Sequence, residues 1–265
     1  MQKTIEYKEY KGYHLISPGT TNIQNIKENE NVVIVQDENT QIKNLEINVS
    51  AGATLTFVSY YNKSSLSDSK ITINLEKDAS LKMYNLIIAT NDQNITLNAD
   101  VNLKEEHANC EILNVYLGTD QSLIDSKVHA YHVASNTNSD LSILSIGKDS
   151  STVNINNMAT IKQGKKKCVV HQKAKGLALN KETTIKALPI LYIDEADCLA
   201  SHASAIGSIS KDDLFYLMSR GLTKLDASKL IVLGFIAPFA DKIDEIEGLK
   251  DFKEQILNDF IKNLK

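Results

Sequence analysis

Between about Asn31 and Ile193 the apolar residues recur in short bursts at every second position: Leu45, Ile47 and Val49; Leu55 and Phe57; Ile71, Ile73 and Leu75; Leu81 and Met83; Ile95 and Leu97; Val153 and Ile155; Leu177 and Leu179. A period of two belongs to an extended chain with one buried face, because successive side chains leave a strand on opposite sides. Asn, Asp, Ser and Lys separate the bursts and no helical pattern intervenes, which excludes a doubly wound α/β sheet. The region is essentially all β.

A weak internal repeat narrows the architecture. Ala51-Gly52-Ala53-Thr54-Leu55 is echoed by Lys77-Asp78-Ala79-Ser80-Leu81 and by Glu106-His107-Ala108-Asn109-Cys110, with Gly147-Lys148-Asp149-Ser150-Ser151 read as a degenerate later copy. Successive echoes lie some 26 to 29 residues apart, a solenoid spacing. A coil of a β-helix buries its apolar face only by stacking on its neighbours, so short strands, small corner residues and few prolines are expected. The prolines are Pro18, Pro189 and Pro238, the first and last outside the main strand region. Periodicity alone does not separate a β-helix from a β-sandwich; the repeat favours the β-helix.

After His202 the pattern changes. Ser210-Lys211-Asp212-Asp213 has the form of an N-terminal cap and precedes Leu214, Phe215, Leu217 and Met218 at helical spacing, stopped by Gly221. Thr223-Lys224-Leu225-Asp226 repeats the device for a second helix through Leu230, Ile231 and Leu233, giving a helical hairpin. From Asp241, Ile243, Ile246, Leu249, Phe252, Ile256, Phe260 and Ile261 define an amphipathic third helix with a break near Gly248. Its apolar face is expected to pack on the hairpin and the end of the β-helix. The expected division is a lead-in segment, 1–30, a β-helix core, 31–207, and a C-terminal helical subdomain, 208–265.

Composition removes several classes of function. With 42% hydrophobic and 23% charged residues and no long apolar stretch, the chain is not expected to enter a membrane. A net charge of −4 offers no general attraction to nucleic acid, and the one basic run, Lys165-Lys166-Lys167, reads as a solvated turn. The N-terminal stretch shows no secretory h-region, so a cytoplasmic location is expected. The three cysteines, Cys110, Cys168 and Cys198, are odd in number and widely spaced, which suits free thiols in a reducing compartment. There is no Gly-rich phosphate loop and no Trp.

The stretch Leu188-Pro189-Ile190-Leu191-Tyr192-Ile193, then Asp197, Ser201-His202 and Gly207, together with Leu214-Phe215-Tyr216-Leu217-Met218-Ser219-Arg220-Gly221 followed by Ala227, Leu230, Ile231 and Gly234-Phe235, resembles the SufB/SufD family of the SUF iron–sulfur cluster assembly system. The resemblance is strong from about Pro189 to Phe239; upstream it is one of pattern. It implies a right-handed parallel β-helix that dimerises edge to edge through its C-terminal coils. It also implies terminal helices that dock on a SufC-type ABC ATPase, and a scaffold subunit rather than an enzyme. SufB-like members carry Glu directly after the signature His and a Cys about a coil upstream; the matching positions here are Ala203 and Ala174, so the chain looks SufD-like. It resembles a minimal member of the family, and its partner is expected to be a SufB-type subunit or a second copy.

The candidate cluster ligands are His202 and Cys198, since imidazole and thiolate are the groups that hold iron–sulfur clusters. If residues 190–202 are extended, these two stand about 13 Å apart and cannot share one metal. A transient cluster would then take ligands from two chains at an interface, with none bound stably by one chain. Cys110 and Cys168 read as core residues, and His171 as a weaker candidate for a polar path inside the helix. Phe215, Tyr216, Arg220, Gly221 and Phe235 are the candidate ATPase contacts; hairpin packing accounts for Phe215 and Leu217, whereas a charge at Arg220 gains little from packing. A carbohydrate-active β-helix is the alternative from another class, disfavoured by the missing Trp and carboxylate pairs.

Overall fold

The computed structural model describes residues 8–10, 13–15, 22–36, 44–62 and 69–264. Pro18 and the first residues of the N-terminal stretch lie outside them. One sheet contains β1 (Lys8–Tyr10), β2 (Tyr13–Leu15), β4 (Asn31–Gln36), β6 (Thr54–Tyr61), β8 (Ser80–Ala89), β10 (Asn109–Gly118), β12 (Asn138–Gly147), β14 (Cys168–Ala178) and β16 (Cys198–Ser208), in that order. The facing sheet holds β3 (Asn22–Ile26), β5 (Asn44–Val49), β7 (Ser69–Leu75), β9 (Asn94–Leu103), β11 (Leu123–His132), β13 (Thr152–Ile161) and β15 (Thr184–Ile193). Apart from the antiparallel β1–β2 pair, every pairing joins a strand to the one two places on, and all are parallel. The chain is therefore a β-solenoid in which each coil spans both sheets, as the period and the echo predict.

Stacking in register places like positions in columns. Ala53, Ala79 and Ala108, the small residues of the echo, are fully buried one above another at one corner. The residue before each adopts a left-handed conformation: Gly52, Asp78, His107 and, further along, Asn136 and Lys167 have φ between 56° and 67°. The amide of Gly52 donates to Lys77 O and that of Asp78 to Glu106 O, which ties each corner to the next. A side chain at Gly52 would meet Asn29 Oδ1 at 2.4 Å and displace that exposed side chain, and glycine also takes the left-handed backbone here without steric cost. Gly147–Ser151 is not a further copy of this corner. Asp149 shares its left-handed backbone with Asn91 and Asp120, and these three are linked in series at the opposite corner: Asn91 N donates to Asp120 Oδ2 and Asp120 N to Asp149 Oδ2. The true later copies are Asn136-Thr137 and Lys167-Cys168.

Three helices follow: α1 (Lys211–Ser219), α2 (Lys224–Asp244) and α3 (Lys250–Lys262). Ser210 and Thr223 cap the first two through the amides of Asp213 and Asp226, as expected from their sequence. The second helix runs on through Pro238, so residues 241–244 form its last turn and not the start of the third; the break falls at Gly248, with φ 87°. The third helix does not pack on the end of the β-helix. With α2 it lies across the outer face of the larger sheet, where Val58, Tyr60, Tyr84, Leu86, Ile88, Val115 and Leu117 form a second core with Val232, Ile236, Phe239, Ile256 and Phe260. Apolar side chains on both faces of β8 and β10 draw the helices there. Tyr60 Oη donates to Asp259 at 2.9 Å and Lys242 pairs with Glu111 at 2.9 Å, which fixes the docking.

Several interior columns break the apolar rule, among them the ladder Gln36, Ser59, Asn85 and Asn114 and the column that holds His132. His132 follows Leu75 and Leu103 and is 2% exposed, with Nδ1 2.8 Å from Thr137 Oγ1 and Nε2 2.9 Å from Ser139 Oγ. Burial pulls its pKa from 6.5 down to about 4. The unfolded chain then binds this proton more tightly than the native one. The corresponding stability is complete above pH 6.5 and is lost as pH falls toward 4. Between pH 7 and pH 5 the loss should be about 2 kcal/mol. Urea unfolding at the two pH values should show this drop in the natural chain and a much flatter response in His132→Leu; equal slopes would contradict the assignment.

Candidate functional site

The solenoid ends in two edge strands, β15 of the smaller sheet and β16 of the larger. On β16, Cys198, Ala200, His202, Ser204 and Ile206 continue the inward columns of Cys168, Val170, Gln172, Ala174 and Gly176. Among the described residues no further strand pairs beyond β16, so His202 is inward by register and yet exposed. Beneath it the column reads Met83, Ile112, Leu141 and Gln172, apolar through the middle of the solenoid and polar at its last two steps.

Gln172 is 1% exposed and donates through Nε2 to the carbonyls of Asn157, at 3.1 Å, and Ile190, at 3.3 Å. Asn157, facing it from the other sheet, donates to Leu141 O at 3.0 Å. Among the described residues, no donor reaches the buried Gln172 Oε1 or Asn157 Oδ1. Two acceptors left open inside the last coils give the solenoid end a polar interior directly under His202. His171, the weaker candidate for a polar path inside the helix, is not inside it; the inward position belongs to Gln172. His171 is exposed on the outer face, its Nδ1 2.7 Å from Ser201 Oγ. Strand alternation carries the signal that was missed, since an inward Cys168 and Val170 put position 172 inside.

Cys198 is half-buried and its thiol donates to Glu195 O at 3.1 Å. Burial, then the Cys168 thiol and the carboxylates of Glu195 and Asp197, push its pKa up. Cys198 and His202 lie four apart on an extended strand, about 13 Å between backbone positions, so they are not co-ligands of one ion. Among the described residues no group of three or more His, Cys, Asp or Glu side chains converges as a metal site. Cys110 and Cys168 are buried core residues, as expected, and burial pushes the Cys110 thiol up to about 12. Around the open end Leu188, Tyr192 and Leu199 are exposed on the outer faces of the edge strands, Leu199 by 68%, and Ile206 is exposed on the inward face. Pro189 sits on the edge strand β15, where a missing amide is tolerated.

The second candidate surface is α1. It buries no residue, and Phe215 is 75% exposed, so hairpin packing does not account for Phe215. Leu214 and Leu217 are its half-buried side. Tyr216, Met218, Leu222 and Leu225 are also exposed, and the Arg220 guanidinium lies 5.3 Å from the Tyr216 ring centroid. Gly221, with φ 95°, supplies the left-handed residue that ends the helix. Phe235, by contrast, packs against the second core.

Residues 16–235 match the family model "SUF system FeS cluster assembly, SufBD core domain", and the chain belongs to that family. It is similar to the iron–sulfur cluster assembly protein SufD of Bacillus subtilis, 39% identical over 103 residues, which cover 39% of this chain and 23% of that protein. A SufBD family protein of Staphylococcus saprophyticus is 25% identical over 248 residues, covering 84% of this chain and 52% of the relative. One from Mycobacterium tuberculosis H37Rv is 28% identical over 138 residues, 52% of this chain and 16% of that protein. The chain thus spans about half or less of the curated relatives it matches. Among the described residues no helix is long and apolar enough to cross a membrane.

The corner that sets Cys198 depends on one carboxylate. Glu195 accepts the amides of Gly164, at 2.7 Å, and Asp197, at 2.9 Å. The Asp197 and then the Gly164 amide hold its pKa below the usual carboxylate range, so the clamp is complete above that range and is lost only as pH falls through the lowered value. Glu195→Ala should speed hydrogen exchange at the Gly164 and Asp197 amides several-fold and leave the amides of β13 unchanged. Unaltered exchange at both amides would show that the clamp is not needed.

Proposed function

We propose that this chain is a SufD-like, non-enzymatic scaffold subunit of SUF iron–sulfur cluster assembly, with the cluster as its cargo. Within its family match, the observation that carries the reading is His202 on the inward face of a last strand that, among the described residues, no further coil covers. An imidazole so placed is available to a cluster whose other ligands come from a second chain across the same edge. The exposed apolar side chains of Leu188, Tyr192, Leu199 and Ile206 suit burial against such a chain, either a SufB-type subunit or a second copy. The exposed Phe215, Tyr216 and Arg220 of α1 are residue types that dominate binding energy, and they suit docking of a SufC-type ATPase. ATP hydrolysis would belong to that partner, in the cytoplasm.

Anaerobic coexpression with a SufC-type ATPase, with and without a SufB-type subunit, tests this directly. A stable complex is expected, weakened by roughly tenfold or more in Arg220→Glu. Visible cluster absorption is expected in the natural chain and not in His202→Ala. Absence of complex in every combination would remove the scaffold assignment, and cluster absorption that survives in His202→Ala would remove the ligand.

A further inference from the structure

The corner column that begins Ala53, Ala79, Ala108 continues as Thr137, Cys168 and Cys198. In the last two coils the small residue of the repeat has become a thiol. The two cysteines are direct register partners on adjacent parallel strands and point to the same side. Neighbouring strands run about 4.8 Å apart, inside the Cα separation that a disulfide bridges. Each thiol donates to the carbonyl three residues upstream, Lys165 O at 3.4 Å and Glu195 O at 3.1 Å; Cys168 Sγ also lies 3.4 Å from Ala134 O and 3.3 Å from Thr137 Oγ1 of the preceding coil. They differ in access: Cys168 is fully buried, whereas Cys198 is half-exposed on the open edge. Cys110 lies two strands from Cys168, about 10 Å away, which is too far to compete.

The structure assigns to Cys168 and Cys198 a reversible disulfide between the last two coils, formed by a hydroperoxide. Cys198, chosen by access, attacks the O–O bond of hydrogen peroxide as the minor thiolate fraction that its raised pKa leaves, so the step is slow. It becomes a sulfenic acid, and the departing hydroxide takes the proton the thiol shed to leave as one water. The Cys168 sulfur then attacks Cys198 Sγ, the S–OH bond breaks, and the departing hydroxide takes the Cys168 proton as a second water. Two thiols lose two electrons and two protons to one peroxide, which is reduced to two waters. Because the bond would lie at the open edge, an external thiol can reach it and reduce it again. Its effect is to tie β16 to β14 and to withdraw the one half-exposed thiol from the edge. The inference does not depend on the role proposed for His202.

The test uses the full chain, reduced, treated with hydrogen peroxide, then denatured, alkylated and digested for mass spectrometry. The expected result is a Cys168–Cys198 cross-linked peptide pair within a monomer, alkylated Cys110, and return of both thiols with dithiothreitol. In Cys168→Ser, Cys198 should be trapped by dimedone as the sulfenic acid; in Cys198→Ser, Cys168 should stay reduced. A Cys198–Cys198 link between two chains, over-oxidation of Cys198 in the natural chain, or three free thiols at a peroxide dose that oxidises glutathione would each overturn the proposal.

Discussion

Everything in this molecule depends on parallel backbone pairing between successive coils at fixed register. Each coil hydrogen-bonds to the next, so a residue's surroundings are set less by its neighbours in sequence than by the residue one coil away. Small residues stack at one corner because a large one there would push every later coil out of step. Asn29, Gly52, Asp78, His107, Asn136 and Lys167 hold the left-handed backbone beside that column. Only glycine adopts it without steric cost, and the ordered amide-to-carbonyl bonds between corners offset the cost for the others.

The same register explains why the molecule has two cores on one sheet. In β8, β10 and β12 both faces are apolar, one turned to the solenoid interior and one to the helices. The helices α2 and α3 therefore fold back over the side of the solenoid instead of capping its end. That leaves two surfaces without cover: the strands at the open end, and α1, which lies beyond the second core. Folding of the chain does not account for exposed Leu199 or Phe215, and both surfaces carry the residues expected from the family resemblance.

Much of this was legible in the sequence, because period two and the corner echo are direct records of strands and coils. The helix caps at Ser210 and Thr223 and the break at Gly248 were legible for the same reason: each is a local hydrogen-bond or dihedral requirement. What was not legible is non-local. Tyr84-Asn85-Leu86-Ile87-Ile88 reads as one apolar run, and only the fold shows that Tyr84, Leu86 and Ile88 face helices some 150 residues later while Ile87 faces inward. Residue chemistry drew attention to His171, whereas strand parity puts Gln172 inside. The contact of Cys198 with Cys168, thirty positions apart, needs the register of the last two coils.

The end of a solenoid is its hardest place to stabilise, since the last coil has a neighbour on one side only. An apolar interior extended to that end would expose its core to water, and the chain meets this by changing its columns near the end. Leu141 gives way to Gln172 and His202, while the Ile143 column, already polar at Gln36, Ser59, Asn85 and Asn114, ends in the small Ala174 and Ser204, with Ser204 Oγ bonded to Ala187 O. Polar and small residues tolerate water at the mouth, while Leu188, Tyr192 and Leu199 on the outer faces stay apolar. A capped end would need neither: a covering helix would match an apolar interior, and a purely solvated end would not keep Leu188, Tyr192, Leu199 and Ile206 exposed. A polar end to the His202 column beside exposed apolar side chains is the contrast on which the scaffold reading proposed above rests.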